Sequence, residues 1–486
     1  NDYRILSTTG SRFFDPNFYS INNTDATTQR SQERIIQSRI IGFFSELSLD
    51  YDKIVYLTLT GREDWTSVLP DPFFYPSVST SFVFTNLNGL KDKEILSYGK
   101  LRASYAEAAN IPSPYSAEPV FTPQLTTDGG YAYGVTGANP NLKPEFRKSF
   151  EFGTELKFFK NRVGLDVAVY STKTIDPILK NMRLSYGTGF VVTSANFGDL
   201  QNQGLEITLS GSPIQKDNFS WNVSANFSKT RSELLNLPSV VSEYYVSDTW
   251  LYGNVRGGVT VGNPLTTLTG NDYLRNNAGE PLIDPNTGFP LKDPNFKIVG
   301  DRNPDFMLGI QNTFTYKNLS LSFLLDIRKG GDIYNATEFY LYQNGLSTKT
   351  LDRDQTRIVK GVLRDGFENS ATPTPNNIPV RPSVQNEYYR TGAIDADFIE
   401  KDINWLRMRD ITLSYQMPSE ILKKTFINNL SLYLTMTDLF IITNYTGADP
   451  SVNGTNASTG GAGGTGFDFG VVSTPRGVNL GLKIGL

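Results

Sequence analysis

The chain is 486 residues long, with 45 Lys and Arg against 49 Asp and Glu, a net charge of −4 that favours no nucleic-acid partner. It contains no Cys and no His, which excludes disulfides, thiol redox pairs, Ser-His-Asp or Cys-His nucleophile systems and ordinary zinc sites. No apolar run reaches the roughly 18 residues of a transmembrane helix, yet a mean hydropathy of −0.30 leaves a membrane β-barrel open, because barrel strands alternate lipid-facing and lumen-facing residues.

The opening segment, 1–38, is polar, lacks an initiating Met and a signal sequence, and reads as an extracellular loop segment with further chain expected upstream. From residue 39 onward the dominant signal is a period of two. Segments of this kind run over 39–50, 53–65, 74–86, 98–109, 148–159, 162–174, 202–214, 219–233, 305–317, 319–334, 405–418, 429–443 and 477–486. In the clearest, Phe219, Trp221, Val223, Ala225 and Phe227 alternate with Ser220, Asn222, Ser224, Asn226 and Ser228. In another, Leu319, Leu321, Phe323, Leu325 and Ile327 share one face. Soluble strands average about five or six residues, whereas a tilted membrane-spanning strand needs about 9 to 11, and these segments are of the longer kind.

The connections alternate in length. Tyr51–Lys53, Lys160–Asn161, Gln215–Asn218 and Lys317–Asn318 are short, whereas 110–147, 175–201, 234–304, 335–404 and 444–476 are long. Outer-membrane barrels place short turns on the periplasmic side and long loops outside. The expected fold is therefore all-β, a large antiparallel transmembrane β-barrel, with a soluble all-β carbohydrate-binding array as its rival. Thirteen strands is an odd number, and bacterial single-chain barrels have even numbers with both termini inside. Residues 39–486 thus read as the C-terminal part of a larger barrel, with a periplasmic C-terminus. Aromatics near strand ends, such as Phe43, Phe44, Phe74 and Phe159, suit a membrane–water boundary.

With the apolar face toward lipid, Glu151, Glu155, Lys157, Asp166, Glu206, Asp326 and Arg328 point into the lumen, forming either a permeation path or an ion-pair network that supports a plug. Two long loops carry aromatic groups among polar residues: Tyr244, Tyr245, Trp250 and Tyr252 in one, Phe339, Tyr340 and Tyr342 in the other. These are candidate ligand-binding residues that would stack on sugars or peptides, although a loop packing on itself or on a partner uses such rings equally. Gly461–Gly466 matches G-x-G-x-x-G but sits in a Ser/Thr/Gly run with no helical period after it, so no nucleotide site is expected. Asp284 to Gly288, with Asp293, resembles a calcium loop but has Gly288 where a third oxygen ligand belongs, so no metal is expected. The carboxylate pairs Glu63 with Asp64 and Asp395 with Asp397 read as solvated charges. No catalytic residue and no cofactor is expected.

The segment Asn139-Pro140-Asn141-Leu142-Lys143-Pro144-Glu145, followed by Glu151-Phe152-Gly153, resembles a signature of TonB-dependent outer-membrane receptors. Leu101–Tyr105, Asn202–Glu206, Gly300–Phe306, Trp405–Tyr415 and Asn444–Pro450 resemble, in order and with compatible spacing, the SusC/RagA-like branch of that family. The resemblance implies a barrel of roughly 22 strands with a plugged lumen, so that about nine strands, a plug domain and a TonB box would lie upstream. It also implies TonB-driven import of oligosaccharides or peptides across a Bacteroidetes outer membrane, with a SusD-like lipoprotein over the loops and outer-membrane lipid around the strands. The alternative is a non-transporting structural subunit or client of a larger outer-membrane assembly or secretion complex. Two departures stand out. The chain ends in Leu486, where such barrels usually end in an aromatic residue, and the Asp/Asn/Gly-rich stretch before Gly300 is degraded.

Overall fold

The computed structural model describes all residues except 1, 91–92, 119–120, 124–129, 184–185, 240, 248–254, 385–391, 424, 453–463 and 486. Thirteen strands form one sheet whose spatial order follows the chain. They are β1 (Ile40–Tyr51), β2 (Val55–Thr66), β3 (Phe73–Phe82), β4 (Leu96–Asn110), β5 (Glu145–Phe158), β6 (Val163–Ile175), β7 (Asp199–Lys216), β8 (Phe219–Asn236), β9 (Phe306–Tyr316), β10 (Leu319–Lys329), β11 (Trp405–Gln416), β12 (Asn429–Thr443) and β13 (Gly477–Gly485). Each falls on a segment that the period of two marks. Pairing is antiparallel for β1–β2 and for every neighbour from β8 to β13.

Alternation builds two unlike faces, because successive side chains leave a strand on opposite sides. On the apolar face Trp221, Phe314 and Phe323 stack across β8, β9 and β10, with ring centroids 5.6 and 6.2 Å apart. One polar pair within that face is matched: Trp221 Nε1 donates to Asn312 Oδ1 at 3.1 Å. Short turns close one end of the hairpins. Asp52 and Lys53 take φ of 51° and 55°, and Phe159, Lys160 and Asn161 take 53°, 55° and 68°, the left-handed backbone whose twist suits tight hairpins. At the other end the sequence expectation of a strand to residue 334 fails. β10 stops at Lys329 because Gly330 and Gly331 both turn left-handed, and a Cβ on Gly331 would lie 2.7 Å from the Arg302 carbonyl oxygen.

The chain divides into two units. The first comprises Asn1–Thr80, Ser104–Phe150 and Thr172–Asp199. Here Asp2–Thr9 and Arg30–Gln37 pair as a hairpin outside the large sheet. The Asn139–Glu145 segment ties two long connections together. Asn139 Nδ2 donates to Ser194 O at 3.0 Å, and Asn196 Nδ2 donates to Lys143 O at 2.9 Å and Asp176 O at 2.8 Å. In return Asn196 Oδ1 accepts from Lys143 N at 2.7 Å, and Glu145 Oε2 accepts from Ile178 N at 3.0 Å. These side chains satisfy backbone groups that no ladder serves.

The second unit comprises Ser81–Ala103, Glu151–Ser171 and Leu200–Leu486. Its connections 237–305, 330–404 and 444–476 share a hydrophobic core that includes Leu268, Tyr334, Phe339, Phe398 and Phe467. One of them contains a helix that the strand-dominated pattern hides, α1 (Ala336–Gln343), started by Asn335, whose side chain accepts from Glu338 N at 2.9 Å. Within the sheet, Gly204 of β7 leaves room for the Tyr170 ring of β6, which would collide with any Cβ there. Replacing Gly204 by Val therefore displaces the ring at a cost of about 1–3 kcal/mol. The folded form should lose its heat resistance on unboiled gels at a lower temperature, while Gly309→Ala, whose Cβ meets only Leu324 at 3.9 Å, should match wild type.

Candidate functional site

The polar face carries charges, and many of them are paired. Arg102 of β4 is the hub of one group: its Nη1 and Nη2 donate to Asp166 at 2.9 Å each, and its Nε to Glu151 at 3.3 Å. The two-point grip on Asp166 is the strong form of this contact. Gly153 gives the guanidinium its bed, since a Cβ there would sit 2.6 Å from Arg102 Cζ. Glu155 bridges Lys100 at 2.9 Å and Lys157 at 3.3 Å. Glu206 shares a face of β7 with Gly204, over which the Tyr170 ring lies. The structure thus brings Glu151, Glu155, Lys157 and Asp166 together on adjacent strands, around two cations, Lys100 and Arg102, that sequence reasoning did not single out as site residues.

Asp326 belongs to a second group. Leu324 pairs with Asp410 and Leu325 with Met408, so Arg409 is an extra residue in β11. Across from it, Met408 pairs with Phe440 and Asp410 with Thr437, leaving Asp438, with φ of 50°, in the matching irregularity of β12. A bulge re-aims side chains. Here it puts Arg407 beside Asp326 on the polar face, where unbroken alternation from Thr412 would send it to the apolar one. The result is a ladder of alternating charge. Arg409 holds Asp326 at 2.6 Å and Asp438 at 3.8 Å, and Arg407 holds Asp438 at 3.3 Å and also Asp449. Arg407 is only 2% exposed. Burial alone would lift the Asp449 carboxyl, but hydrogen bonds from Ser451 and Thr474 overcome it and hold it down at about 2.

Arg328 is differently employed. Its Nε donates to Gly330 O at 2.9 Å and its Nη2 to Arg302 O at 2.7 Å, with the guanidinium 5.0 Å over the Trp405 ring. It braces the turn at the end of β10. Arg302 in turn is buried over Phe467 at 5.2 Å and bonds the carbonyls of Thr266 and Thr465 at 3.0 and 2.9 Å. Burial pushes its guanidinium down to about 10.

The loop aromatics fall into two classes. Phe339 is 4% exposed and packs edge-on against Phe398 at 5.1 Å, so its ring is a core element and is closed to a ligand, contrary to the ligand-binding expectation. Tyr342 packs on Phe398 too, at 5.3 Å. Self-packing of the loop is what these two rings do. Tyr340 is 49% exposed. Tyr244 is half-buried in the short strand Tyr244–Ser247, which includes Tyr245, and burial raises its hydroxyl pKa. Trp250 and Tyr252 lie outside the described residues. Asp284 caps a turn by accepting from Asn286 N at 2.8 Å, and Asp293 pairs with Lys297 at 2.6 Å. No cluster of three acidic groups able to hold a metal occurs among the described residues. Gly466 leads into a short strand, Phe467–Asp468, and not into a helix.

Residues 1–266 match the TonB dependent receptor-like, beta-barrel family. The chain belongs to that family. It is 26% identical, over 98% of its length, to TonB-dependent receptor P3 of Formosa agariphila, of which 48% is covered. It is 24% identical, over 89% of its length, to TonB-dependent receptor SusC of Bacteroides thetaiotaomicron, of which 43% is covered. The structure of the RagAB peptide transporter shares its fold with a TM-score of 0.74 at 19% identity, over 99% of this chain and 52% of that one. The chain spans about half the length of the curated relatives it matches.

The segments that resemble TonB-dependent receptors now have physical roles. Glu151 and Gly153 seat Arg102. Asn303 Nδ2 donates to Thr230 O at 2.7 Å. Asn444 Nδ2 donates to Asp402 O at 2.9 Å, and Tyr445 donates to Asp468 at 2.6 Å in the core beneath. For the ladder, the sign of the pH effect follows from Asp449. Its folded pKa lies below the ordinary 3.8, so its contribution is complete above 3.8 and is lost as pH falls toward about 2. Limited pepsin digestion should therefore cut within 444–476 increasingly across that window, and Asp449→Asn should expose the same cuts already at the upper pH.

Proposed function

We propose that residues 39–486 form part of the barrel of an outer-membrane TonB-dependent importer, with 1–38 as an extracellular loop segment and the C-terminus in the periplasm. The observation that carries this reading is the two-faced sheet. One face is apolar, as a lipid boundary requires, and the other is an array of paired charges suited to a water-filled lumen. The shared core of connections 237–305, 330–404 and 444–476 supports an ordered layer on the extracellular side, where a ligand would first be held. The cargo in this proposal is an oligosaccharide or a peptide. The peptide option draws support from the fold shared with the RagAB peptide transporter. A SusD-like surface lipoprotein would sit over the loops, and TonB would act through a plug. The protein's part is binding and passage, with no covalent chemistry.

The test is uptake in the native organism. Deleting the gene should abolish accumulation of one labelled oligosaccharide or peptide class, and a protonophore should do the same in wild type. The full-length receptor extracted in detergent should bring a surface lipoprotein with it. Unchanged uptake together with co-purifying assembly or secretion proteins would replace the importer by a structural subunit.

A further inference from the structure

We propose that Asn88, in the connection between β3 and β4, is a site of spontaneous covalent modification, where the side-chain amide becomes a carboxylate through a cyclic imide. The chain contains three Asn-Gly pairs, Asn88-Gly89, Asn344-Gly345 and Asn453-Gly454, of which the last lies outside the described residues. The first two are followed by Leu90 and Leu346, so the reacting tripeptide is the same. Both asparagines are exposed. A difference in reactivity between them therefore comes from the fold.

The reaction needs the backbone nitrogen after Asn to reach the side-chain carbonyl carbon. Glycine allows this most easily, having no Cβ in the way and a wide choice of backbone angles. Around Asn88 the described contacts leave the approach open. The turn is closed by Leu90 N donating to Leu87 O at 3.1 Å, a bond that spans the reacting pair without using it. Neither the Asn88 amide nor the Gly89 N–H is hydrogen-bonded to any described residue. Gly89 has φ of 90°, and no atom lies within 4 Å of where its Cβ would stand. Asn344 is the opposite case. It ends α1 as its C-cap, its Nδ2 donates to Tyr340 O at 2.8 Å, and Gly345 N donates to Tyr342 O at 3.0 Å. There the leaving nitrogen and the attacking nitrogen are both tied to carbonyls that the helix end leaves open, and attack would first have to break those bonds.

At Asn88 a hydroxide takes the Gly89 N–H proton, and that nitrogen forms a bond to Asn88 Cγ. The Cγ–Nδ2 bond breaks, and Nδ2 leaves as ammonia after taking a proton from water, which restores the hydroxide. A water then adds to one of the two imide carbonyls and opens the ring, leaving aspartate or isoaspartate in place of Asn88. One water is consumed, one ammonia is released, and no oxidant or reductant takes part. The turn gains a negative charge, and the isoaspartate product also carries one more carbon in its backbone.

The test is peptide mapping of the full-length receptor in detergent, held at mildly alkaline pH, sampled over days and digested with pepsin at acid pH. The peptide containing Asn88 should gain the mass difference between an amide and a carboxyl, and should accept label from isoaspartyl methyltransferase. It should do so at least about tenfold faster than the peptide containing Asn344, the factor that its extra hydrogen bonds supply. In urea the two peptides should convert at one rate. Asn88→Gln, whose longer side chain cannot close the same ring, should remove the label from that peptide and leave the Asn344 peptide unchanged. Equal rates in the folded receptor, faster conversion at Asn344, or an Asn88 peptide that converts only in urea would overturn the proposal. So would unequal rates in urea, which would place the cause in the preceding residues, Leu87 and Gln343.

Discussion

The rest of this structure depends on a constraint set by the solvent around it. In hydrocarbon no water is at hand to take up a backbone N–H or C=O, and each one left unmatched costs several kcal/mol. A sheet answers this by matching backbone to backbone across strands. Everything that follows is a consequence of giving the side chains of such a sheet two environments. One face has to be apolar, and the other is free to carry charge. Because side chains alternate, both demands are written into the same segment at neighbouring positions. The long connections escape the constraint, which is why they build a core, a helix and small sheets of their own.

The charged face shows how the molecule manages the freedom it has. Arg102 between Glu151 and Asp166, and Arg407 and Arg409 among three aspartates, leave few charges isolated. An ion pair removed from water has to recover its desolvation through close geometry and extra hydrogen bonds. The structure supplies that geometry with small residues and irregularities: Gly153 under one arginine, and a bulge under the other two. Strands that look interchangeable in pattern are thus specialised by one glycine or one additional residue.

The fold was legible in the sequence because alternation is a local signal that tertiary packing reinforces. Phe219 to Ser228 states both its faces in ten residues, and every expected strand is found in the sheet. What could not be read had a physical reason in each case. The extra residue at Arg409 reverses the alternation, so a strict period of two gives Arg407 no place on the polar face and cannot show the ladder it joins. Arg102 stood in a recognised segment, but its partners lie on two other strands, a relation that composition does not encode. Phe339 and Tyr340 are neighbours of the same chemical type, and only the packing of Phe398 makes one a core residue and leaves the other facing outward. The period of two overruns the end of β10 because two glycines in a loop do not announce their left-handed backbone.

The hydrogen bonds between the Asn139–Glu145 segment and the 176–198 connection carry a consequence for how such a protein changes over time. Two stretches far apart in the chain share one set of contacts through Asn139, Asn196 and Glu145. Neither can be lengthened, shortened or exchanged for that of a relative without rewriting the other. The pair is a single unit of inheritance, and a chimera that grafts one stretch alone carries half a fastening.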